Sequence, residues 1–213
     1  MVPRALFVPG WGAPAALYEP GLPASWAAVE PPSFAASGGT LREYRRWLAT
    51  ELRRRGPSPL GGHSMGAALA ILAAADAPEL VERLVLVAPA GLPLTKPMGR
   101  SLADFACQLI RGTYPPRTAA AAVLAVARAP RAALALAREI RRLDLRRECA
   151  RIREAGIPAL VVGCSTDTLV TCDRARTLAD ALGAAYEELD LAGGHMWMLG
   201  ERERFAAVVA AAV

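Results

Sequence analysis

The sequence is poor in the residues that build metal centres and basic surfaces of mixed composition. Its 213 residues contain two histidines, four cysteines and, among 25 basic residues, one lysine, Lys96. Cys107, Cys149, Cys164 and Cys172 lie 42, 15 and 8 positions apart, which matches no usual zinc-ligand spacing, and His63 and His195 add too little to complete a site. No metal and no cofactor are expected. No export signal precedes the cysteines, so reduced, mostly buried thiols are expected, a Cys107–Cys149 disulfide being the alternative. No stretch approaches the ~20 uninterrupted apolar residues of a membrane span. The first apolar run meets Pro9-Gly10 and is too short for the core of a signal peptide. The expectation is a soluble, cytoplasmic protein.

What the chain has in quantity is apolar residues, 54% of the total, enough for one well-buried domain. Its basic residues are otherwise all arginine. With so much alanine beside it, that bias suits genome composition or stability at high temperature better than a nucleic-acid surface, for which no motif is present. The charge is also uneven: residues 93–154 carry a balance of +8, and the remainder carries −3.

Along the chain, short apolar runs alternate with helical patterns. Strands are expected at 4–8, 27–30, 57–60, 81–87, 157–163 and 185–191. Thr40 with Glu43 resembles a capping box opening a helix that runs to Arg55. Further helices are expected at 67–77, 173–182 and 201–213. This alternation argues for an α/β sheet whose strands are mostly parallel and covered on both faces. Between Pro93 and Glu154 the rhythm changes to consecutive helices, at 101–111, 117–128, 130–142 and 144–155. Residues 93–154 therefore read as a helical cap or lid inserted into a core made of residues 1–92 and 155–213.

Gly62-His63-Ser64-Met65-Gly66 is a G-x-S-x-G sequence placed between an extended run and a helix. A serine on so sharp a turn needs neighbours two residues away that lack side chains, and glycine stands at both positions. A serine hydroxyl near neutral pH is a poor nucleophile, so chemistry at Ser64 requires a base and an acid to orient that base. His63 is adjacent in sequence, where successive side chains diverge, and reads as a packing residue. His195 follows the last strand in Ala192-Gly193-Gly194-His195 and is the candidate base. Asp167, in the loop after the penultimate strand, is the candidate acid, with Asp173 and Asp190 as competitors. Charge developing on a substrate carbonyl oxygen calls for two backbone donors. The N–H groups of Met65 and of Trp11, in Pro9-Gly10-Trp11-Gly12, are the candidates.

In the pieces Phe7-Val8-Pro9-Gly10-Trp11-Gly12, Gly62-His63-Ser64-Met65-Gly66, Val161-Val162-Gly163-Cys164-Ser165-Thr166-Asp167 and Gly193-Gly194-His195, the chain resembles the serine hydrolases of the α/β-hydrolase superfamily. The resemblance implies Ser64 as nucleophile, Asp167 as acid, His195 as base, and Trp11 and Met65 as oxyanion donors. Many relatives have histidine where this chain has Pro9. Relatives also usually begin with an antiparallel hairpin that is missing here, which implies a sheet of about six strands whose edge is covered or paired in a homodimer.

A hydroxyl nucleophile points to acyl transfer, and carboxylic esters are the commonest target in families of this kind. The expected partner is a small-molecule acyl ester, bound by an apolar lining of Trp11, Leu92, Met98 and Trp197. Arg138, Arg141, Arg142, Arg146 and Arg147 offer an alternative: a basic cap steering a thioester, a coenzyme A ester or an acidic carrier protein. A solvated helix face accounts for the same arginines. A further alternative keeps the fold as a non-catalytic small-molecule receptor.

Overall fold

The structure, a computed structural model, describes residues 5–111, 114 and 116–211. The expected start of the first strand at Arg4, residues 112, 113 and 115 of the helix break expected over 112–116, and the last two residues of the C-terminal helix lie outside these. Six strands form one parallel sheet: β1 (Ala5–Val8), β2 (Trp26–Ala28), β3 (Ser58–His63), β4 (Val81–Val87), β5 (Ala159–Cys164) and β6 (Ala185–Leu189), in the order β2-β1-β3-β4-β5-β6. All the pairings are parallel, and β2 lies beside β1 at the edge of the sheet.

The apolar runs form strands because both faces of the sheet are covered. Leu6 and Val8 of β1 and Leu84 and Leu86 of β4 enter one apolar layer, with α1 (Leu41–Arg55), α2 (Met65–Asp76) and α7 (Cys172–Leu182). Phe7, Val85 and Val87 point the other way, into a layer closed by Phe205 and Val209 of α8 (Arg202–Ala210). α2 is buried on all sides, which suits its run of alanine, leucine and isoleucine. α1 is amphipathic and buries Leu41, Tyr44, Leu48 and Leu52. The expected capping box at its start does not form. Thr40 occupies the cap position, but its hydroxyl donates to the Ser37 carbonyl, Glu43 pairs with Arg46, and the Leu41 N–H goes to Glu139 Oε2 at 2.7 Å. A carboxylate brought in from a later helix has replaced the local cap.

Four helices separate β4 from β5: α3 (Met98–Arg111), α4 (Pro116–Arg128), α5 (Pro130–Arg141) and α6 (Arg146–Glu154). α3 and α5 meet the loop after β1, where Phe105 lies edge-on to Trp11 at 5.6 Å and the Trp11 indole N–H donates to the Ala133 carbonyl at 3.2 Å. α6 packs on α2 and α7, with Cys149 and Ile152 fully buried in the same apolar layer, which Ala133 and Leu136 of α5 also enter. Leu145, Cys149 and Ile152 thus join that layer from within the stretch 93–154.

All four cysteines are free, so Cys107 and Cys149 form no disulfide. Burial pushes the Cys149 thiol up to about 12. Among the described residues, no single helix is long and apolar enough to cross a membrane.

Candidate active site

Parallel strands all end at the same edge, so the loops after β1, β3, β5 and β6 converge there. Ser64 stands between β3 and α2 at φ 53° and ψ −113°, a left-handed backbone that non-glycine residues adopt only under surrounding constraint. The constraint is visible in its main chain: the Ser64 N–H donates to the Val87 carbonyl at 3.0 Å, and its own carbonyl accepts from Ala68 and Ala90 at 3.1 Å each. The flanking glycines are required by approach. A Cβ on Gly62 would collide with the Gly66 carbonyl group, and one on Gly66 with the carbonyl oxygen of Val8. The start of α2 thereby lies directly against the end of β1.

His195 and Asp167 meet as expected. The His195 Nδ1 and Asp167 Oδ2 are 2.7 Å apart and both side chains are almost fully buried. The other carboxylate oxygen, Oδ1, accepts the N–H groups of Leu169 at 2.8 Å and Val170 at 3.0 Å. A buried carboxylate needs such partners, and three donors hold this one. The competitors are occupied elsewhere: Asp190 accepts from Ser165 Oγ at 2.7 Å, and Asp173 lies in the first turn of α7, after the cap residue Thr171. With Nδ1 donating to Asp167, the His195 Nε2 is left as an acceptor. Among the described residues no hydrogen bond closes between Ser64 and His195. The two loops are nevertheless neighbours, since the rings of His63 and His195 lie 4.7 Å apart.

Met65 follows Ser64 at the start of α2, and Trp11 lies in the loop after β1, whose Val8 and Pro9 carbonyls meet Gly66. Among the described residues, neither backbone N–H has a hydrogen-bond partner. A cavity of about 480 Å³ opens beside Met65, lined also by Gly12, Phe34 and Tyr44 and by Leu124 and Ala125 of α4. Trp11 does not line this cavity; its ring packs at 5.2 Å on Phe34, which does. Leu92 and Met98 do not line this cavity. Trp197 is a correction of a different kind. It is wholly buried in the layer on the opposite face of the sheet, edge-on to Phe205 at 6.2 Å, and belongs to the core.

Several residues at this edge carry no motif. Gln108 of α3 accepts the His195 N–H through Oε1 at 2.6 Å and donates through Nε2 to Thr168 Oγ1 at 2.8 Å. Thr166 Oγ1 accepts the Gly194 N–H at 3.1 Å and donates to the Leu191 carbonyl at 2.6 Å. His63, expected only to pack, is hydrogen-bonded on both ring nitrogens, to Tyr18 Oη at 2.8 Å and to the His195 carbonyl at 2.9 Å. Composition could have hinted at this last one, because a buried histidine in a chain with two seldom goes unpartnered.

Over residues 5–208 the chain matches the model of the alpha/beta hydrolase family, and it belongs to that family. Solved structures it resembles include an enol-lactonase from Burkholderia xenovorans, at 20% identity and TM-score 0.78 over 99% of this chain and 91% of that one. An esterase from Exiguobacterium antarcticum matches at 17% identity and TM-score 0.78, covering 98% of this chain and 91% of the other. An N-formylmaleamic acid deformylase from Pseudomonas putida matches at 17% and TM-score 0.72, covering 96% and 90%. At these identities the likeness is one of fold. No protein of curated function matches the chain in sequence. Membership of the family makes the protein a hydrolase.

Proposed function

We propose that the protein cleaves carboxylic esters through an acyl-enzyme on Ser64. The observation that carries this reading is the buried 2.7 Å contact between His195 Nδ1 and Asp167 Oδ2, at the same sheet edge as a serine held at positive φ. On approach of substrate, the Ser64 Oγ–H gives its proton to His195 Nε2 as the oxygen attacks the ester carbonyl carbon. The carbonyl oxygen takes the displaced electron pair and is met by the Trp11 and Met65 N–H groups. Asp167 stabilises the imidazolium that forms. The intermediate collapses by expelling the alcohol, which takes the proton from Nε2. Water then repeats the sequence on the acyl-enzyme and releases the acid. Hydrogen bonds of this kind often close only in the substrate complex, which suits the unmade Ser64–His195 bond.

The cavity beside Met65 is mainly apolar, with Phe34, Leu124 and Ala125 in its walls, and suits the acyl group of a small-molecule ester. Arg138, Arg141, Arg142, Arg146 and Arg147 do not line it. Arg141 is bonded to Ser101 Oγ and the Lys96 carbonyl, and Arg146 is paired with Asp144. A fluorophosphonate probe tests the reading: it should label the wild type and not Ser64→Ala. Asp167→Asn should lower kcat by about 10⁴, as an unoriented base does elsewhere. A folded wild type that neither takes the probe nor cleaves p-nitrophenyl esters of any chain length would sink it.

A further inference from the structure

One buried run of polar atoms at this edge has no part in the chemistry just described. The Gly10 N–H lies 3.2 Å from Tyr18 Oη, that oxygen 2.8 Å from His63 Nδ1, and His63 Nε2 2.9 Å from the His195 carbonyl oxygen. The directions of these bonds follow from their ends. A carbonyl oxygen only accepts, so Nε2 carries the hydrogen; in a neutral ring Nδ1 is then the acceptor, and the Tyr18 hydroxyl must donate to it. That leaves a Tyr18 oxygen lone pair for the Gly10 N–H. Every step has one sense.

Neither member of the run is suited to exchange protons. Burial, and then the neighbouring His195, hold His63 well below the usual imidazole range, and burial drives Tyr18 upward. The sequence makes room for the contact. A Cβ on Gly10 would sit 2.7 Å from His63 Nδ1. Tyr18 is itself clamped between Phe7 at 5.4 Å and Phe205 at 6.5 Å, so its hydroxyl has little freedom to choose another partner.

We propose that Gly10, Tyr18, His63 and His195 form a positioning relay that fixes the oxyanion loop and the base relative to the nucleophile. It rests on the reading of the site given above. Gly10 precedes Trp11, His63 is covalently joined to Ser64, and the His195 carbonyl belongs to the residue whose ring must face that serine. Three loops leaving three strands could each drift on their own. The relay ties all three through one rigid imidazole. Reacting atoms displaced by about 1 Å can cost about a hundredfold in rate, so a tie of this kind acts on turnover rather than on binding.

The test compares Tyr18→Phe, His63→Leu and His63→Gln with the wild type. Glutamine can present an acceptor oxygen to Tyr18 and a donor nitrogen to the His195 carbonyl, and so is the conservative replacement. Tyr18→Phe should lower kcat, and the rate of fluorophosphonate labelling at Ser64, by about tenfold with KM within about twofold. His63→Leu should lose more, and His63→Gln should recover most of the loss. Nitrogen-15 NMR of the wild type should show His63 as the neutral Nε2–H tautomer. If His63→Leu does not fold, Tyr18→Phe and the tautomer decide the matter. Normal wild-type labelling together with undiminished Tyr18→Phe turnover, or an Nδ1–H tautomer, overturns the relay alone. Absence of labelling in the wild type overturns the reading of the site, and the relay's catalytic role with it.

Discussion

Gln108 reaches from α3 to the loop after β6 and takes the His195 N–H on its side-chain oxygen at 2.6 Å. The same amide donates to Thr168, one residue beyond Asp167, so a single side chain between β4 and β5 is tied to the loops carrying both the candidate acid and the candidate base. Gly194 is glycine partly for this reason: at φ 58° it leaves room for the Gln108 amide where a Cβ would collide. The helices over the sheet edge are thus fastened to it at the site itself.

Removing that fastening should cost turnover. Gln108→Ala leaves the His195 N–H and the Thr168 hydroxyl without their partners, and a lost hydrogen bond of this kind is worth about 1 kcal/mol. A fall in kcat of about fivefold to tenfold is expected, with Gln108→Glu less affected, since a carboxylate still accepts from His195 and the Thr168 hydroxyl can turn to donate. Steady-state kinetics on a short-chain ester checks this. Equal loss in both variants would count against the hydrogen bonds as the cause.

His63 should make stability depend on pH below neutrality. Its folded pKa lies well below the usual value because of burial, while in the unfolded chain it takes up a proton as pH falls through about 6.5. The unfolded state then binds more protons than the folded one, so stability falls with falling pH from about 6.5 down to the folded pKa, at up to about 1.4 kcal/mol per pH unit. Above pH 7 this contribution is flat. Urea unfolding at pH 7.5 and pH 5.5 should show a larger loss for the wild type than for His63→Gln. Parallel losses would mean that the imidazole is charged in the fold.

Two glycines should respond oppositely to alanine. In Gly66 the added methyl meets the Val8 and Pro9 carbonyl oxygens, backbone atoms fixed by the sheet, and a loss of about 3 kcal/mol or more is expected. Gly99 lies in α3 with nothing within 4 Å of the same methyl, and alanine there should be neutral or stabilising by about 0.5 kcal/mol. Thermal unfolding of the two variants measures both. Similar midpoints would contradict the close packing of α2 on β1.

Much of this arrangement is legible in the sequence because it is written in local patterns. Leu84 to Val87 can only be a strand covered on both faces, and Gly62 and Gly66 announce the turn at Ser64. The bounds of α1 follow from its apolar spacing and the Gly56 that ends it. Less legible is whatever depends on which distant surface is met. Trp26 opens β2 by pairing with Ala5, but three residues at a sheet edge carry too little pattern to mark their register. Trp197 follows His195 by two, which suggests a shared pocket. The 3-10 turn over Gly194–Leu199 instead swings it into the layer around Phe205. Glu139 capping α1 and Gln108 holding His195 are contacts across 98 and 87 residues, and nothing in their own neighbourhoods signals them.

The cavity offers the sharpest control over substrate. Ala125 of α4 faces it, opposite Met65 and Phe34, in walls that are mainly apolar. Replacing Ala125 by Phe would take up much of the space that a long acyl chain would need there, while leaving Ser64 and the candidate donor Met65 unchanged. Each methylene that can no longer be buried costs about 0.8 kcal/mol, so the effect should grow with chain length. Acetyl esters should be cleaved by Ala125→Phe at close to the wild-type kcat/KM, and decanoyl esters at least about tenfold more slowly. The measurement is kcat/KM across p-nitrophenyl esters from two to ten carbons. A uniform fall at every length would place the acyl group elsewhere, and an unchanged profile would mean that this cavity does not receive substrate.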